Sequence, residues 1–136
     1  MGTAGDAKDL EGTGGNAEQS SRIEAVVDFF GPTDFLQFDG HGSTLVAAAP
    51  GSLFETLLGG PLSEKKALAI QANPITYITK DDPPFLILHG DKDVIVPIEQ
   101  SELLRDALKK GGVDATYHVV PGAGHGFGGP DIMKRV

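Results

Sequence analysis

Short apolar runs, separated by glycine, proline and charged residues, divide the chain into alternating strand and helix candidates. The most continuous run covers residues 85–89 and predicts a parallel strand that is buried on both faces. Over residues 97–110, apolar side chains recur on one helical face until a Gly-Gly pair, which predicts a helix that starts at a proline. Residues 115–120 are again typical of a strand. A strand–helix–strand unit over residues 85–120 requires a parallel sheet with a right-handed crossover.

The first half of the chain carries weaker patterns. Residues 24–30 combine β-branched and aromatic side chains, are closed by Gly-Pro, and predict a buried strand. Residues 33–80 are irregular, with helical patterns at 52–58 and 63–71. Ser63 is expected to cap the second of these helices. We expect the irregular segment to cover an edge of the sheet or a pocket.

Composition indicates one domain with a polar leading segment. The chain has 136 residues, of which 40% are apolar and 22% charged, as in ordinary globular proteins. Residues 1–21 consist largely of glycine, alanine, serine and acidic residues, so they bury too little apolar surface to offset their ordering entropy. We therefore expect a loosely ordered tail or loop over residues 1–21 and one α/β domain over residues 22–136.

Charge and cysteine content exclude several classes of partner. The net charge is −8 and the pI near 4.8, so nucleic acid is not an expected partner. No apolar run approaches the length of a membrane span, and no basic segment precedes an apolar one at the N-terminus, so no membrane partner is expected either. The absence of cysteine excludes disulfides and thiolate zinc sites, and it suits the cytoplasmic location that we expect.

Acidic and histidine side chains follow two of the predicted strands. Asp91 and Asp93 come just after the strand at 85–89, and His125 follows the strand at 115–120. Because the carboxyl ends of parallel strands open on one edge of a sheet, we expect these side chains to meet there. An imidazole oriented by a buried carboxylate can take a proton from a hydroxyl near neutral pH. The order Asp then His is that of the last two triad members in α/β-hydrolases, yet no G-x-S-x-G motif for the serine occurs.

Two segments carry a resemblance to a known family. Residues 89–97 read H-G-x-x-D-x-x-V-P, and residues 122–127 read G-x-G-H-G-F. Together they resemble the esterase and lipase branch of the α/β-hydrolase fold, particularly its acetyl-esterase-like and prolyl-oligopeptidase-like members. The resemblance implies a three-layer α/β sandwich, here the C-terminal part, with a short, mostly parallel sheet of about three strands and flanking helices.

The same resemblance implies roles for two residues. Asp93 matches the acid of the triad and His125 its base. Asp91 is the less favoured acid, and by residue type it is more typical of a turn. The family places its oxyanion loop and serine elbow upstream of the part that this chain resembles. The implied protein is therefore a truncated carboxylesterase or lipase-like serine hydrolase that acts on a small ester and needs no cofactor or metal.

Two other functions stay open. The run at residues 25–30 would be an apolar, unpaired strand edge, which favours a catalytically inactive domain that forms a homo-oligomer. A metal-dependent hydrolase would instead use nitrogen and oxygen ligands, although a two-metal site needs further spaced ligands. The candidate ligands are His89, Asp91, Asp93 and His125.

Single residues also have structural alternatives. Asp93 could be a turn or capping carboxylate, and His125 a turn histidine. Asp34, after Gly-Pro-Thr, could border a substrate pocket but is more typical of a turn. No pattern raises one serine over another as a replacement nucleophile among Ser43, Ser52 and Ser101.

Overall fold

The chain forms a three-stranded parallel sheet with one helix packed on its face and two further helices in a neighbouring segment. The structure is a computed structural model, and it describes residues 2–5, 7–16 and 18–127. The strands are β1 (Val26–Phe29), β2 (Phe85–Gly90) and β3 (Ala115–Val120), in the order β1-β2-β3. The helices are α1 (Leu53–Leu58), α2 (Lys66–Ala72) and α3 (Ile98–Gly111), with short 3-10 turns at Lys8–Leu10, Phe35–Gln37 and Pro74–Tyr77. The predicted α/β class with a short parallel sheet is confirmed.

Strand β2 is the centre of the sheet. It pairs in parallel with β1, with Val26 opposite Phe85, and with β3, with Phe85 opposite Ala115. Ile87, Leu88 and His89 are all closed to solvent. The continuous apolar run is explained by this position, since a central strand is covered on both faces.

Helix α3 crosses over from β2 to β3 and covers one face of the sheet. Its Leu104 and Leu108 pack against Phe85 and Ile87, which is the pattern expected from the helical periodicity. The helix begins directly after Pro97 and ends at Gly112, whose φ of 81° is the left-handed conformation typical of a glycine cap. The predicted strand–helix–strand unit is thus confirmed, with its helix shifted by one residue.

Strand β1 differs from its prediction. It is four residues long, and its side chains alternate in burial rather than being buried throughout. Val27 is 55% exposed and Phe29 47% exposed. In the described part of the chain only β2 pairs with β1, so one edge of this strand is unpaired.

The two predicted helices of the irregular segment have different outcomes. Ser52 caps α1 by accepting a hydrogen bond from the N–H of Glu55 at 3.0 Å, in agreement with the pattern at 52–58. The expectation that Ser63 caps α2 is wrong, because this helix begins at Lys66. The carbonyl of Pro61 accepts the N–H groups of Glu64 and Lys65, so a separate turn occupies the residues before the helix.

The irregular segment has its own apolar cluster. This cluster is joined to the loop after β2 through Val96, and its other buried members are Phe35, Phe38, Ala47, Phe54, Leu58, Leu62 and Ala69. Gln100 links this segment to α3, because its Oε1 accepts the N–H groups of Thr33 and Asp34 at 2.8 and 2.7 Å. The segment is therefore held against the edge of the sheet at which β2 ends.

The first described residues pack against this body, where Gly2 lies close to the side chains of Val26 and Phe85. Thr3 is buried, and its hydroxyl donates to the carbonyl of Pro74 at 2.8 Å. The division at residue 21 stays a prediction. None of the helices within the described ranges has the length and apolar character needed to cross a bilayer.

Candidate active site

The loop after β2 holds Asp93 in a fixed orientation. Its backbone N–H donates to the carbonyl of Gly90 at 3.2 Å, which closes a tight turn at the end of the strand. Its Oδ1 accepts the N–H groups of Ile95 and Val96 at 2.8 and 3.0 Å. The Asp93 side chain is closed to solvent, so these bonds leave Oδ2 as the atom that can serve another partner.

That partner is His125, in the loop after β3. Its Nδ1 lies 2.9 Å from Oδ2 of Asp93, and 32% of the His125 side chain is exposed. The two loops are also joined by their backbones, since the N–H of Lys92 donates to the carbonyl of Ala123 at 2.9 Å. The structure therefore brings the two predicted site residues together across neighbouring loops at the carboxyl ends of β2 and β3.

Aromatic rings support the imidazole. The ring of Phe30 lies 4.3 Å from the His125 ring between centroids, and Phe127 lies 4.9 Å from Phe30. Both phenylalanines have positive φ angles, 47° and 57°, which are uncommon for bulky residues. Such strained conformations concentrate at functional sites, where the surrounding structure enforces them.

Asp91 has a structural place beside the pair. Its Oδ1 accepts the N–H of Gly122 at 2.6 Å, so it links the two loops from the solvent side. Asp34 accepts hydrogen bonds from the N–H of Leu36 and the side chain of Asn73, at 2.9 and 2.8 Å. Asp34 thus makes the local turn contact expected of it with Leu36, whereas the Asp91 contact joins two loops that are 31 residues apart.

The remaining histidine and serine candidates lie elsewhere or are engaged. His41 pairs with Glu99 at 3.4 Å, and His118 is exposed on β3. Ser43 donates to the carbonyl of Ile95 at 2.5 Å. Ser101 is buried in α3 and hydrogen-bonded to His89.

A metal centre is not assembled from the predicted ligands. Within residues 2–5, 7–16 and 18–127, no group of three or more His, Asp or Glu side chains is arranged to hold a metal ion. Asp91 faces the backbone of Gly122 rather than the Asp93 carboxylate. Among the described residues, the four predicted ligands therefore do not form one metal site.

From the sequence, His89 was only a candidate metal ligand, and its place beside Asp93 was not predicted. Its Nε2 lies 3.3 Å from Oδ2 of Asp93, so two imidazoles converge on one carboxylate oxygen. The alternation of side chains along β2 could have predicted this placement. His89 lies two residues after the buried Ile87 and thus on the face that α3 covers.

A second carboxylate lies in the sheet. Burial raises the pKa of Asp28, while a hydrogen bond from the Gly31 backbone and the nearby His89 act in the opposite direction. Oδ2 of Asp28 has no hydrogen-bond partner among the described residues, and neither does Oγ1 of Thr33. Both residues line a cavity of about 150 Å³.

The family model described as BD-FAE matches residues 1–108, which include Asp93. The chain belongs to the BD-FAE family. His125 lies beyond the matched range, so its place rests on the geometry given above.

Several curated and solved relatives of this BD-FAE member are named as esterases or ester hydrolases. The chain is 29% identical over 96 residues to the probable carboxylic ester hydrolase LipM of Mycobacterium tuberculosis, covering 71% of this chain and 22% of LipM. It is 36% identical to a truncated carbohydrate esterase from gut microbiota, with a TM-score of 0.76, covering 87% of this chain and 41% of that one. A bifunctional GH43-CE of Bacteroides eggerthii has a TM-score of 0.81 at 36% identity, covering 92% of this chain and 17% of that one.

These similarities establish an esterase-like α/β-hydrolase fold and a hydrolase family for the chain. The chain spans less than half the length of each of these relatives.

Proposed function

We propose that this chain carries the acid and the base of a serine carboxylesterase active site that acts on small esters. The observation that carries the proposal is the 2.9 Å contact between Oδ2 of Asp93 and Nδ1 of His125, with the carboxylate closed to solvent and the imidazole partly exposed. A buried acid beside an accessible imidazole is the arrangement that general-base catalysis needs.

Each group then has a defined role. Nδ1–H of His125 donates to Asp93, which leaves the lone pair of Nε2 free to take a proton from an attacking hydroxyl. Asp93 stabilises the imidazolium that forms, and the imidazolium returns the proton to the departing alcohol. The resulting acyl-serine is released by water, which His125 activates in the same way.

The attacking serine lies outside these 136 residues in this proposal, since the chain contains no G-x-S-x-G. The partial coverage of the relatives supports this division: the chain spans 22% of LipM and 41% of the truncated carbohydrate esterase. LipM is a probable carboxylic ester hydrolase and the gut-microbiota protein is a carbohydrate esterase, which supports an ester substrate. The chemistry uses acid–base groups and a nucleophile and requires no cofactor.

Hydrolysis of a short-chain nitrophenyl ester tests the proposal. We expect His125→Ala and Asp93→Ala to lose the slow hydrolysis that the parent chain supports through its imidazole. His41→Ala is the matched control, because His41 is also partly exposed but pairs with Glu99. Equal rates in the parent, His125→Ala and Asp93→Ala would contradict the proposal.

One observation favours a second function, self-association through β1. Val27 and Phe29 are about half exposed on a strand that is paired only with β2 in the described part of the chain. Such an edge can pair with a second copy, and a lysine on it opposes that pairing. We expect light scattering to show a dimer or larger species at micromolar concentration and Val27→Lys to shift it to monomer. A monomeric parent chain would exclude this function.

A further inference from the structure

His89 is a buried histidine that the proposed reaction does not use. It is closed to solvent, near the end of β2, and lies on the face of the sheet that α3 covers. Its Nδ1 lies 2.7 Å from Oγ of Ser101, and its Nε2 lies 2.9 Å from the carbonyl oxygen of Val96. Both ring nitrogens are therefore engaged, which fixes the orientation of the ring.

The hydrogen-bond partners of His89 also show which of its ring nitrogens carries the hydrogen. A carbonyl oxygen only accepts, so Nε2 of His89 must carry the hydrogen that Val96 receives. In the neutral ring Nδ1 is then an acceptor, and the Ser101 hydroxyl donates to it. Ser101 thereby selects the tautomer that directs an N–H toward the loop after β2.

That N–H also faces the candidate acid. Oδ2 of Asp93, the atom bonded to His125, lies 3.3 Å from Nε2 of His89. Val96 closes the arrangement, because its N–H donates to Oδ1 of Asp93 while its carbonyl accepts from His89. The Asp93 carboxylate is therefore surrounded by donors on both oxygens, and His89 flanks the oxygen that would orient the base.

We infer that His89 is a positioning residue for Asp93, and that Ser101 acts through it by holding the Nε2–H tautomer. The inference rests on the proposed function, since it assigns His89 a part in keeping Asp93 aligned with His125. Groups that orient a catalytic side chain from behind typically matter through its geometry and tautomer. The relay runs from Ser101 to His89, Asp93 and then His125.

A role in core packing alone would have a different consequence. Replacing a buried histidine changes stability in either case. Only the positioning role predicts a change at His125, whose ring does not contact Ser101. The tautomer of His125 is therefore the decisive measurement, and it needs no nucleophile or substrate.

The experiment uses the full chain labelled with ¹⁵N. Two-bond ¹H–¹⁵N correlation spectra, recorded well above the ordinary histidine pKa of about 6.5, distinguish the Nδ1–H and Nε2–H forms. The chain has four histidines, so His41 and His118 serve as internal references. The variants are His89→Leu, His89→Gln, Ser101→Ala and Asp93→Asn.

We expect His125 of the parent to be in the Nδ1–H form. In His89→Leu the ratio of Nδ1–H to Nε2–H should fall by up to about tenfold, the worth of one hydrogen bond. His89→Gln retains an N–H near the Nε2 position and should recover most of that loss. Ser101→Ala should give a smaller fall, since His89 can then change tautomer.

Two results would count against the inference, and they are distinguishable. An unchanged His125 ratio in His89→Leu and Ser101→Ala, together with a changed ratio in Asp93→Asn, would overturn the role of His89 and leave the proposed function intact. An unchanged ratio in Asp93→Asn would overturn the proposed pair and this inference with it. If His89→Leu does not fold, an unchanged ratio in Ser101→Ala alone overturns the inference.

Discussion

Gly90 lies so close to Ala123 that a β-carbon on Gly90 would stand 2.2 Å from the carbonyl oxygen of Ala123. This approach joins the end of β2 to the loop that carries His125. The carbonyl of Ala123 also accepts the N–H of Lys92, so the contact cannot widen without loss of a bond between the two loops. The distance between Asp93 and His125 therefore depends on the absence of a side chain at residue 90.

Gly90→Ala should displace the His125 loop and destabilise the chain by about 2 kcal/mol, a usual cost of overpacking. Urea unfolding gives the free energy, and the His125 tautomer reports the loop. Gly124→Ala is the matched control, since its β-carbon would lie an ordinary 3.5 Å from its nearest neighbour, the carbonyl oxygen of Lys92. Equal unfolding free energies for the two variants would refute this account of the loop contact.

The backbone at Phe30 provides a second prediction. With a φ of 47°, this residue is in the left-handed region, where a β-carbon costs about 1 kcal/mol. Phe30→Gly and Phe30→Ala both remove the ring beside His125, but only the glycine variant relieves the backbone. We expect Phe30→Gly to be more stable than Phe30→Ala by about 1 kcal/mol in urea unfolding.

The same pair of substitutions at Val26 is the control. Val26 is a regular strand residue without a positive φ, so alanine there should be the more stable replacement. The order of glycine and alanine should therefore reverse between the two sites. If the same replacement, glycine or alanine, were the more stable one at both Phe30 and Val26, the backbone at Phe30 would not be strained.

Tyr117 makes the stability of the folded chain depend on pH in the alkaline range. Burial raises the pKa of Tyr117 to about 12, helped by the charge of Glu102 and opposed by Arg105, whose guanidinium lies 5.0 Å from the ring centroid. The folded state holds the phenol proton more tightly than the unfolded state, whose pKa is about 10. Stability from this group is thus fully present below pH 10 and is lost as the pH rises toward 12.

Tyr117→Phe should remove that loss. We expect the unfolding free energy of the variant to fall less steeply between about pH 10 and 12 than that of the parent. The chain has two tyrosines and no tryptophan, so ultraviolet absorbance follows the phenolate directly. Tyr77→Phe is the control, because the Tyr77 hydroxyl instead donates to the carbonyl of Gln71.

The buried Asp28 should make the free energy of unfolding depend on pH in the acidic range. Burial raises its pKa, so the folded state binds the proton more tightly and stability falls as the pH rises through the range between the unfolded and folded values. Asp28→Asn removes the buried charge and should stabilise the chain near neutral pH by about 1 kcal/mol. The gain should disappear below the unfolded aspartate pKa of about 3.9.

A control of opposite sign is available on α3. Asp106 is exposed, and the Arg105 guanidinium lowers its pKa. Asp106→Asn should therefore lower stability slightly at neutral pH and have no effect in acid. A gain for Asp28→Asn that persisted in strong acid would show that its cause is not the buried charge.

The local sequence was sufficient to predict a helix or strand wherever a few residues of one type determine its burial or its ends. The apolar run of β2 could only suit a covered strand, and the proline and glycines around α3 marked its ends. Ser63 shows the limit of such reasoning. A serine before an acidic residue is a good cap. In this chain, however, the carbonyl of Pro61 accepts the N–H groups of the two residues after the serine, and the helix begins at Lys66.

The sequence by itself determined the order of strands and helix around residues 85–120 and the positions of Asp93 and His125 after consecutive strands, because apolar periodicity and caps act over a few residues. Only the tertiary structure decided that these two side chains meet at 2.9 Å, that β1 is half exposed, and that His89 stands between Ser101 and Asp93. The reason is physical. Distances between loops 32 residues apart depend on the sheet register and on close contacts such as that of Gly90 with Ala123, which no local pattern records.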